Sequence, residues 1–480
     1  MAHPSFNIPT TIIILGATGD LSQKKLIPAL LDLFAKGYLP DVFRVVGFAR
    51  RSFTDDAFRD FLRTAIEKNT RVHPDALIDE FLQRVSYQSG LFDKVSDYTL
   101  LKEHLSALDS NLGLCANKLI YLAVPPEHYS KIFENIASSS ISNLCGGEGV
   151  WTRVLVEKPF GKDLETARSL DAKLGALFRE EQIFRIDHYL AKEALQNVLM
   201  FRFSNSLFEP MWNNDHIERV EISLHEAGGV GARGALYDGV GALRDIGQNH
   251  LLQMLALVAM EHPGAVTADA IRFARAAVFK KLRRVSGNGG AMHMRRGQYE
   301  GYRTEANVAA DSQTETYFCL MAHIDSPRWK GVPFYLHSGK KLAEDKVEIS
   351  IHFKETQSCL CPNTMGAEHH HRNVLAFRIQ PDEGISVRFW AKVPGFDLEL
   401  EPKTLSFSYN VHGGKFSEPP DAYERVLYDC IRGDQTLFAS TEEILAEWEF
   451  ITPILDAWRS HPLESYRVGS QGLSCQNHAA

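Results

Sequence analysis

Residues 11–31 read TIIILGATGDLSQKKLIPALL, an apolar run joined to a helical pattern by a turn that contains two glycines. A short buried run before an amphipathic helix is typical of one unit of a parallel sheet. Gly16 and Gly19 allow close backbone approach, and the N-terminal amides of the helix would point at a phosphate. The spacing is not the standard G-x-G-x-x-G, so a plain strand-to-helix turn capped by Asp20 remains an alternative.

The same alternation continues to about residue 190. The later apolar runs are VFRVVGFA, KLIYLAV, TRVLVEK and IFRIDH, and a helical pattern follows each of the first three. Buried β-runs separated by amphipathic helices predict a doubly wound parallel sheet, in which ligands bind at the carboxyl ends of the strands. The residues just after each run are therefore the candidate binding residues.

The pattern changes from about residue 216. A strand, HIERVEISLHEAG, and helices between residues 236 and 282 come first, followed by TYFCLMAHI, VPFYLHSG, KVEISIHF, VLAFRIQ, ISVRFWAK and KTLSFSYN. Alternating segments joined by turns predict a large, mostly antiparallel sheet packed by helices. We therefore expect an α/β domain over residues 1–190 and an α+β domain over residues 191–480. Within the second domain, the stretch from residue 461 to the end is expected to be poorly ordered.

The composition is that of a globular protein that does not bind polyanions by bulk charge. A formal net charge of −8 over 480 residues argues against a nucleic-acid or anionic-membrane partner. No apolar run approaches the ~20 residues that span a bilayer, and the N-terminus lacks the pattern of a signal peptide, so a cytoplasmic location is expected. Seven scattered cysteines fit reduced thiols, and no structural disulfide is expected.

The end of the second apolar run bears on the nucleotide that would bind. NAD-binding sheets usually place an acidic residue where the ribose 2′-hydroxyl lies, whereas VVGFARRS ends in Arg50 and Arg51. A guanidinium at that point suits a 2′-phosphate, and Thr18 could add a hydroxyl to it. Two arginines on a solvated loop are the alternative, but their position after a strand favours NADP.

A lysine ends the apolar run of VLVEKPFG. Lys158 stands just before Pro159, so its side chain can project into the crevice at the carboxyl edge of the sheet. A cis peptide bond at Pro159 is plausible in a tight turn. Without further context, Lys158 is equally consistent with a surface lysine.

The stretch RIDHYLAKE, residues 185–193, combines an Asp-His pair with a lysine four positions after the histidine. If a helix begins near Tyr189, His188 and Lys192 lie on one face, next to free helix amides. That face would form a compact phosphate or carboxylate site. A buried structural histidine with a solvated lysine is the alternative.

A second constellation is LRDIGQNHLLQML, residues 243–255. Asp245, Asn249 and His250 are spaced i, i+4 and i+5 on a helix that is otherwise apolar. A histidine at the margin of an apolar stripe is usually a core residue. To act as a base it needs a partner that fixes its tautomer, and Asp187 could supply this from another element.

Two later stretches are less specific. Lys340 follows a strand and a glycine turn in HSGKKLAEDKVE, where a lysine is ordinarily a surface residue. The stretch CLCPNTMGAEHHHRN holds Cys359, Cys361 and His369 to His371, but their spacing matches no standard zinc pattern. We therefore predict a polar loop there and no metal.

Taken in order along nearly the whole chain, these stretches resemble the glucose-6-phosphate dehydrogenase family. The motifs that carry the resemblance are GATGDLSQKKLIPAL, EKPFG, RIDHYLAKE, RDIGQNHLLQ, GK after a strand, and DAYERVLYDCIRGD. The resemblance implies a Rossmann-like NADP-binding domain, followed by a substrate-binding α+β domain whose sheet carries the dimer interface. It implies a cytoplasmic homodimer or homotetramer that oxidises the C1 hydroxyl of glucose 6-phosphate to 6-phosphogluconolactone and passes hydride to NADP, the first step of the oxidative pentose phosphate pathway.

The resemblance also implies roles for individual residues. His250 would be the general base on the C1 hydroxyl, and Asp187 the carboxylate that orients it. The 6-phosphate would be held by His188, Tyr189 and Lys192. The remaining substrate contacts would be Glu226, Asp245, Lys340, Lys346, Lys158 and Lys25. The cofactor contacts would be Gly16, Thr18, Gly19, Asp20, Leu21, Arg50, Lys158 and Pro159.

One position departs from the family pattern. Five positions after Lys340 the family often has a basic residue, whereas this chain has Asp345 followed by Lys346. Either Lys346 takes that role or one substrate contact is missing. Some members of the family accept NAD as well, so the resemblance does not imply exclusive use of NADP.

Two rival functions remain. A dehydrogenase of another aldose or aldose phosphate on the same scaffold would be favoured by loss of the His188 and Lys192 anchor, and both residues are present. A catalytically silent NADP-binding redox sensor would be favoured by loss of Asp187 or His250, and both of these are present too.

Overall fold

A computed structural model describes residues 9–68, 71–143, 150–284, 294–356, 371–409 and 420–475. The strands are β1 (Thr10–Leu15), β2 (Phe43–Ala49), β3 (Val85–Ser89), β4 (Asn117–Leu122), β5 (Thr152–Val156), β6 (Ile183–Ile186), β7 (Ile217–His225), β8 (Met294–Tyr299), β9 (Tyr317–Ala322), β10 (Phe334–Gly339), β11 (Lys346–Phe353), β12 (Val374–Gln380), β13 (Gly384–Lys392), β14 (Leu400–Ser408), β15 (Phe438–Ala439) and β16 (Leu463–Tyr466).

The α-helices are α1 (Ile27–Ala35), α2 (Asp55–Glu67), α3 (Asp75–Leu82), α4 (Val95–Leu112), α5 (Tyr129–Ser139), α6 (Leu164–Gly175), α7 (Glu193–Phe203), α8 (Gly234–Tyr237), α9 (Leu252–Ala259), α10 (Ala268–Phe279), α11 (Ala422–Arg432) and α12 (Thr441–Trp458). Two further segments, Ser22–Leu26 and Leu243–Leu251, are π-helical. None of the helices described is both long and apolar enough to cross a membrane.

The chain packs as two compact units. The first comprises Met1–Ala191, Thr267–Asp269 and Pro420–Leu445, and the second comprises Lys192–Val266, Ala270–Pro419 and Ala446–Ala480. The sequence pattern placed everything after position 190 in one domain. The structure differs because a segment near the C-terminus returns to pack with the first unit.

The first unit contains a seven-stranded sheet in the order β15-β6-β5-β4-β1-β2-β3. All its pairs are parallel except the edge pair of β15 with β6. Ile12 to Leu15 of the central strand are at most 1% exposed, as expected of a strand covered on both faces. The predicted doubly wound parallel sheet is confirmed. The strand order reverses between β1 and β4, which is where ligands bind in such sheets.

The returning segment completes the first unit through several contacts. The Arg153 guanidinium donates to the carbonyl oxygens of Cys430 and Ile431, each at 2.7 Å. The ring of Phe438 lies 4.8 Å, centroid to centroid, from that of Phe184. Backbone carbonyl groups of α11 and the paired strand β15 therefore cover the β5–β6 side of the sheet, which the chain up to Ala191 would leave uncovered on its own.

The second unit contains a nine-stranded sheet in the order β14-β13-β12-β11-β7-β10-β9-β8-β16. Its neighbours are antiparallel except β7 with β10 and β8 with β16. Along β11, Val347, Ile349 and Ile351 are at most 4% exposed, and the residues between them are only partly buried. This period of two gives the sheet one apolar and one polar face. The predicted large, mostly antiparallel sheet is confirmed.

The end of the chain departs from two expectations. The stretch from residue 461 onward was expected to be poorly ordered, but Leu463–Tyr466 forms β16, which pairs in parallel with β8. Cys319 and Cys475 form a disulfide with a Cα–Cα distance of 5.6 Å, so the expectation of no structural disulfide is wrong. The two cysteines are 156 residues apart, and only the packing of the terminal segment beside β9 brings them together.

Candidate active site

The glycine turn lies at the point where the order of the parallel strands reverses. Gly16 has a φ of +92° and donates from its amide to the Phe48 carbonyl at 2.8 Å. A Cβ atom at Gly16 would lie 2.3 Å from the carbonyl oxygen of Ala123, so no other residue fits without movement of the backbone. The amide of Gly19 closes the turn by donating to the Gly16 carbonyl at 2.9 Å. The turn thus brings bare backbone to the carboxyl edge of the sheet.

The other predicted cofactor residues of the turn, and the arginines that follow β2, differ in how exposed their side chains are. Thr18 and Leu21 are partly buried in the turn and the first helical residues. Asp20 is exposed and pairs with Lys24 at 2.7 Å. Arg50 is exposed directly after β2, while the Arg51 guanidinium lies 5.8 Å from the centroid of the Phe61 ring. Of the two arginines, Arg51 therefore packs on a neighbouring ring and Arg50 extends from the strand end.

The carboxyl end of β5 carries Lys158 and Pro159, joined by a cis peptide bond. The cis bond that the sequence made plausible is therefore present. Lys158 is partly buried, and because β5 runs parallel to β4 and β1, it stands at the same edge of the sheet as the glycine turn.

The residue before Lys158 carries a carboxyl group that the sequence did not single out. Tyr121 Oη donates to Glu157 Oε1 at 2.5 Å, and Tyr129 Oη donates to the Glu157 carbonyl at 2.8 Å. Desolvation raises the pKa of Glu157 to about 6, against the opposing Tyr121 hydrogen bond and the Lys158 charge. The sequence does contain a signal for Glu157, because this residue directly follows a buried strand.

The RIDHYLAKE stretch forms a turn before its helix begins. Asp187 Oδ1 accepts from the Tyr189 amide at 3.0 Å, and the Leu190 amide donates to the Asp187 carbonyl at 3.0 Å. The helix begins at Glu193, so the prediction of a helix from Tyr189 is wrong. An aspartate that binds the amide two positions on offers the backbone a turn in place of a helix.

The aromatic surroundings of His188 bring in a residue from the returning segment. The His188 ring centroid lies 4.8 Å from that of Tyr189 and 6.2 Å from that of Tyr423. The His188 and Tyr423 rings are nearly parallel, with an interplanar angle of 13°. Lys25 Nζ lies 4.0 Å from Asp421 Oδ2, near the start of the same helix. Tyr423 belongs to DAYERVLYDCIRGD, a motif that carried the resemblance, yet no role was assigned to it.

In the second unit, three of the predicted sugar contacts, Lys340, Glu226 and Asp245, lie close together. The Lys340 Nζ lies 2.5 Å from Glu226 Oε2 and 3.7 Å from Asp245 Oδ2. The ammonium also lies 5.1 Å from the centroid of the Tyr237 ring, and Lys340 as a whole is 2% exposed. Two carboxylates around one ammonium offer several acceptors and donors in fixed positions, as the hydroxyl groups of a sugar require.

His250 lies on a π-helix rather than on an α-helix. The Asn249 side chain donates to the Asp245 carbonyl at 3.1 Å, and the His250 amide donates to Asn249 Oδ1 at 2.7 Å. Because π-helical hydrogen bonds link each residue to the fifth along the chain, Asp245 and His250 project toward nearly the same side. His250 is 1% exposed.

A buried carboxyl fixes the start of this π-helix. Glu315 Oε1 accepts from the Leu243 amide at 3.1 Å, and the Glu315 carbonyl accepts from the Ala242 amide at 3.0 Å. Gly241 has a φ of +81°, and a Cβ there would lie 2.2 Å from Glu315 Oε1. Burial raises the pKa of Glu315 to about 7. Nothing in the sequence around Glu315 pointed to this contact.

The predicted contact Lys346 and its neighbour Asp345 pair with groups outside the Lys340 cluster. Lys346 Nζ pairs with Glu348 Oε1 at 2.7 Å, and Asp345 Oδ1 accepts from the Ala227 amide at 2.8 Å. Lys192 caps the start of α7 in the second unit. His250 belongs to the second unit and Asp187 to the first, and their pairing stays a prediction.

The loop for which no metal was predicted is described only at its end. Cys359, Cys361, His369 and His370 lie outside the described residues. His371 is partly buried, and its ring centroid lies 4.3 Å from that of Trp390. The prediction of a polar loop is therefore not tested by the structure.

Comparison with known families gives two matches that together span the chain. The model described as glucose-6-phosphate dehydrogenase, NAD binding domain, matches residues 13–197. The model described as glucose-6-phosphate dehydrogenase, C-terminal domain, matches residues 199–479.

Individual relatives agree with these matches. Glucose-6-phosphate 1-dehydrogenase of Chlamydia pneumoniae is 40% identical over 97% of this chain and 93% of the relative. Glucose-6-phosphate 1-dehydrogenase 2 of Mycobacterium tuberculosis is 38% identical over 97% of this chain and 91% of the relative. A solved structure of glucose-6-phosphate dehydrogenase in complex with its substrate glucose-6-phosphate is 32% identical with a TM-score of 0.88, over 98% of this chain and 97% of the other. The crystal structure of glucose-6-phosphate 1-dehydrogenase from Mycobacterium avium is 35% identical with a TM-score of 0.82, over 98% of this chain and 96% of the other.

Replacing Glu315 by Gln should change how stability depends on pH. The folded-state pKa near 7 lies above the ordinary 4.5, so the Glu315 contribution to stability is full below about pH 4.5 and is lost as the pH rises through about 7. Urea unfolding of both proteins from pH 4.5 to 8 should show the wild type losing up to about 3 kcal/mol relative to Glu315→Gln. Parallel profiles would contradict the assignment.

Proposed function

Because the chain belongs to the glucose-6-phosphate dehydrogenase family, we propose that it oxidises the C1 hydroxyl of glucose 6-phosphate to 6-phosphogluconolactone with hydride transfer to NADP. The observation that carries the proposal is the buried Lys340 ammonium between Glu226 and Asp245. Asp245, one of the groups that would hold the sugar, stands on the same π-helix as His250, the group that would take its proton.

Oxidation at C1 requires removal of the hydroxyl proton as the hydride leaves. His250 takes that proton, and a positioned general base contributes a factor of ~10²–10⁴ to the rate. Asp187 fixes the tautomer of His250 and stabilises its charged form. Bound NADP supplies the hydride acceptor, and the protein aligns C1 with it.

The anionic end of the substrate needs cations, since the chain as a whole is negative. His188, Tyr189 and Lys192 hold the 6-phosphate, while Lys25 and Lys158 lie near the reacting centre. The aromatic contacts of His188 with Tyr189 support this role, because they fix the imidazole before any substrate binds. Sugar hydroxyls bind Glu226, Asp245 and Lys340, and Lys346 is the remaining candidate contact.

The glycine turn supports the binding of a dinucleotide. A Cβ at Gly16 would meet the Ala123 carbonyl oxygen, so the turn stays bare backbone at the carboxyl edge, and the exposed Arg50 directly after β2 would supply a counter-charge to a 2′-phosphate. Thr18, Gly19, Asp20, Leu21, Lys158 and Pro159 complete the cofactor contacts. We therefore favour NADP, with NAD as a second acceptor to be tested. The proposal includes no metal.

The proposal extends to assembly and location. Residues 1–190 form the dinucleotide-binding domain, and residues 191–480 form the domain that carries the contacts to the sugar hydroxyls and assembles a homodimer or homotetramer in the cytoplasm. Exposed apolar side chains on and beside β14, among them Leu405 at 65% and Phe407 at 43%, support association through the second unit. No nucleic acid or membrane partner is proposed.

A steady-state assay of NADPH and NADH formation tests the function directly. Glucose 6-phosphate, glucose and other sugar phosphates are compared with each acceptor. We expect the highest kcat/KM with glucose 6-phosphate and NADP. A higher value with another aldose phosphate would favour the rival dehydrogenase, and no turnover with any sugar would favour the redox sensor.

Replacing His250 by Ala should abolish turnover, because no base remains for the C1 hydroxyl proton. A loss of at least ~10²-fold in kcat is expected, with NADP binding nearly unchanged in a fluorescence titration. His262→Ala is the matched control, because His262 is exposed in the same unit and accepts a bond from the Gly264 amide. Near-normal turnover of His250→Ala would refute the base assignment.

Replacing Lys192 by Ala should raise KM for glucose 6-phosphate far more than KM for free glucose. The loss of one charge-assisted contact predicts about a tenfold rise or more for the phosphorylated sugar. Lys330→Ala, at an exposed lysine of the second unit, should leave both values unchanged. Equal effects on both sugars would exclude a phosphate contact for Lys192.

A further inference from the structure

The backbone of Lys340 is fixed on both sides by other parts of the second unit. Its amide donates to the Thr316 carbonyl at 3.0 Å, and its carbonyl accepts from Tyr466 Oη at 2.7 Å. Tyr466 Oη also lies 2.9 Å from Thr316 Oγ1, which accepts from the Tyr299 amide. A hydroxyl that donates to Lys340 accepts from Thr316, so the bonds run in one direction and reinforce one another.

The contacts of the terminal segment with this turn go beyond Tyr466. The Gly469 amide donates to the Lys341 carbonyl at 2.8 Å, and the Ala343 amide donates to the Ser470 carbonyl at 3.0 Å. Leu342 and Ser470 form an isolated parallel bridge. We call Leu463–Cys475 the C-terminal clasp, because it follows the turn from Lys340 to Ala343 along its length.

The position of this turn matters because it is hydrogen-bonded to Glu226, one of the carboxylates proposed to bind the sugar. The Glu226 amide donates to the Gly339 carbonyl at 2.9 Å, and the Leu342 amide donates to the Glu226 carbonyl at 3.0 Å. Lys341 adopts a φ of +55°, a conformation that non-glycine residues keep only where surrounding contacts enforce it. A shift of the turn would therefore move the Lys340 ammonium relative to Glu226.

The C-terminal clasp is itself held at three points. Its first residues form β16 beside β8, and Tyr317 Oη donates to the Leu473 carbonyl at 2.6 Å. The last point is the Cys319–Cys475 disulfide. Cys319 is 1% exposed on β9, whereas Cys475 is partly exposed near the chain end. The most distant point of the clasp is thus tied by a bond that thiol chemistry can open.

We propose that the C-terminal clasp positions Lys340 for sugar binding, and that the Cys319–Cys475 disulfide makes this positioning responsive to thiol reductants. A dithiol reduces the disulfide to two thiols and is itself oxidised to a disulfide, which balances the exchange. Opening it frees the end of the clasp, and fraying from that end weakens the bonds to the turn. The inference rests on the proposed function, since it assigns Lys340 to the sugar.

The first test is Tyr466→Phe, which removes one hydroxyl and keeps the ring. Loss of one buried hydrogen bond predicts a three- to tenfold rise in KM for glucose 6-phosphate, at about 1 kcal/mol. Because Tyr466 is a positioning residue, kcat and KM for NADP should stay within about twofold of wild type. A purely structural role would instead lower the melting temperature without this split between KM values.

Tyr299→Phe is the matched control. Tyr299 lies in the same buried aromatic cluster, but its hydroxyl donates to Glu305 Oε1 at 2.9 Å and not to Lys340. It should lose stability comparably while KM for glucose 6-phosphate stays unchanged. If the wild type is active and Tyr466→Phe leaves KM for glucose 6-phosphate unchanged, only the positioning role of the C-terminal clasp is overturned. If the wild type shows no turnover, the proposed function is overturned as well.

The second test compares wild type with Cys475→Ser before and after treatment with dithiothreitol. Reduction should raise the wild-type KM for glucose 6-phosphate by about twofold or more, to the value of the variant, and should leave the variant unchanged. Peptide mass spectrometry without reductant should find the Cys319–Cys475 crosslink in wild type. A free Cys475 thiol in the isolated protein, or an unchanged KM after confirmed reduction, would overturn the redox response.

Discussion

The burial of the Lys340 ammonium constrains the second unit, because this side chain has lost almost all its water. Removing an ammonium from water costs several kcal/mol unless charges and hydrogen bonds replace the solvent. Glu226 at the end of β7 and Asp245 on the π-helix supply the charges for Lys340. The sheet, the helix and the end of the chain must therefore meet at one point, and an error in any of them leaves a buried charge without its partners.

The sheets were predictable because their signal is local. Strands such as β1 are buried without alternation in the parallel sheet, and β11 alternates with a period of two in the antiparallel one. The start of α7 was mistaken because Asp187 binds the Tyr189 amide, a choice that propensity does not reveal. The terminal strand escaped prediction because its stability comes from β8, which lies far earlier in the chain.

The site was predictable only in part. The roles of Glu226, Asp245 and Lys340 as sugar contacts came from the family resemblance, and no rule of spacing brings a strand end, a helix and a turn together. Glu157 and Glu315 were missed because a buried carboxyl is recognised by what surrounds it, such as the Tyr121 hydroxyl or the Leu243 amide. Sequence shows which groups a chain possesses; the tertiary fold decides which of them lose water.

The return of Pro420–Leu445 to the first unit separates the order of synthesis from the order of completion. Domains generally fold as they leave the ribosome, N-terminal first. Here β6 is synthesised early, but its edge stays unpaired until β15 has been synthesised. The Arg153 guanidinium likewise lacks its carbonyl acceptors until α11 has been synthesised. The nascent chain must therefore carry an open sheet edge until the codons near position 445 have been read, and this exposed interval is when a chaperone would be most needed.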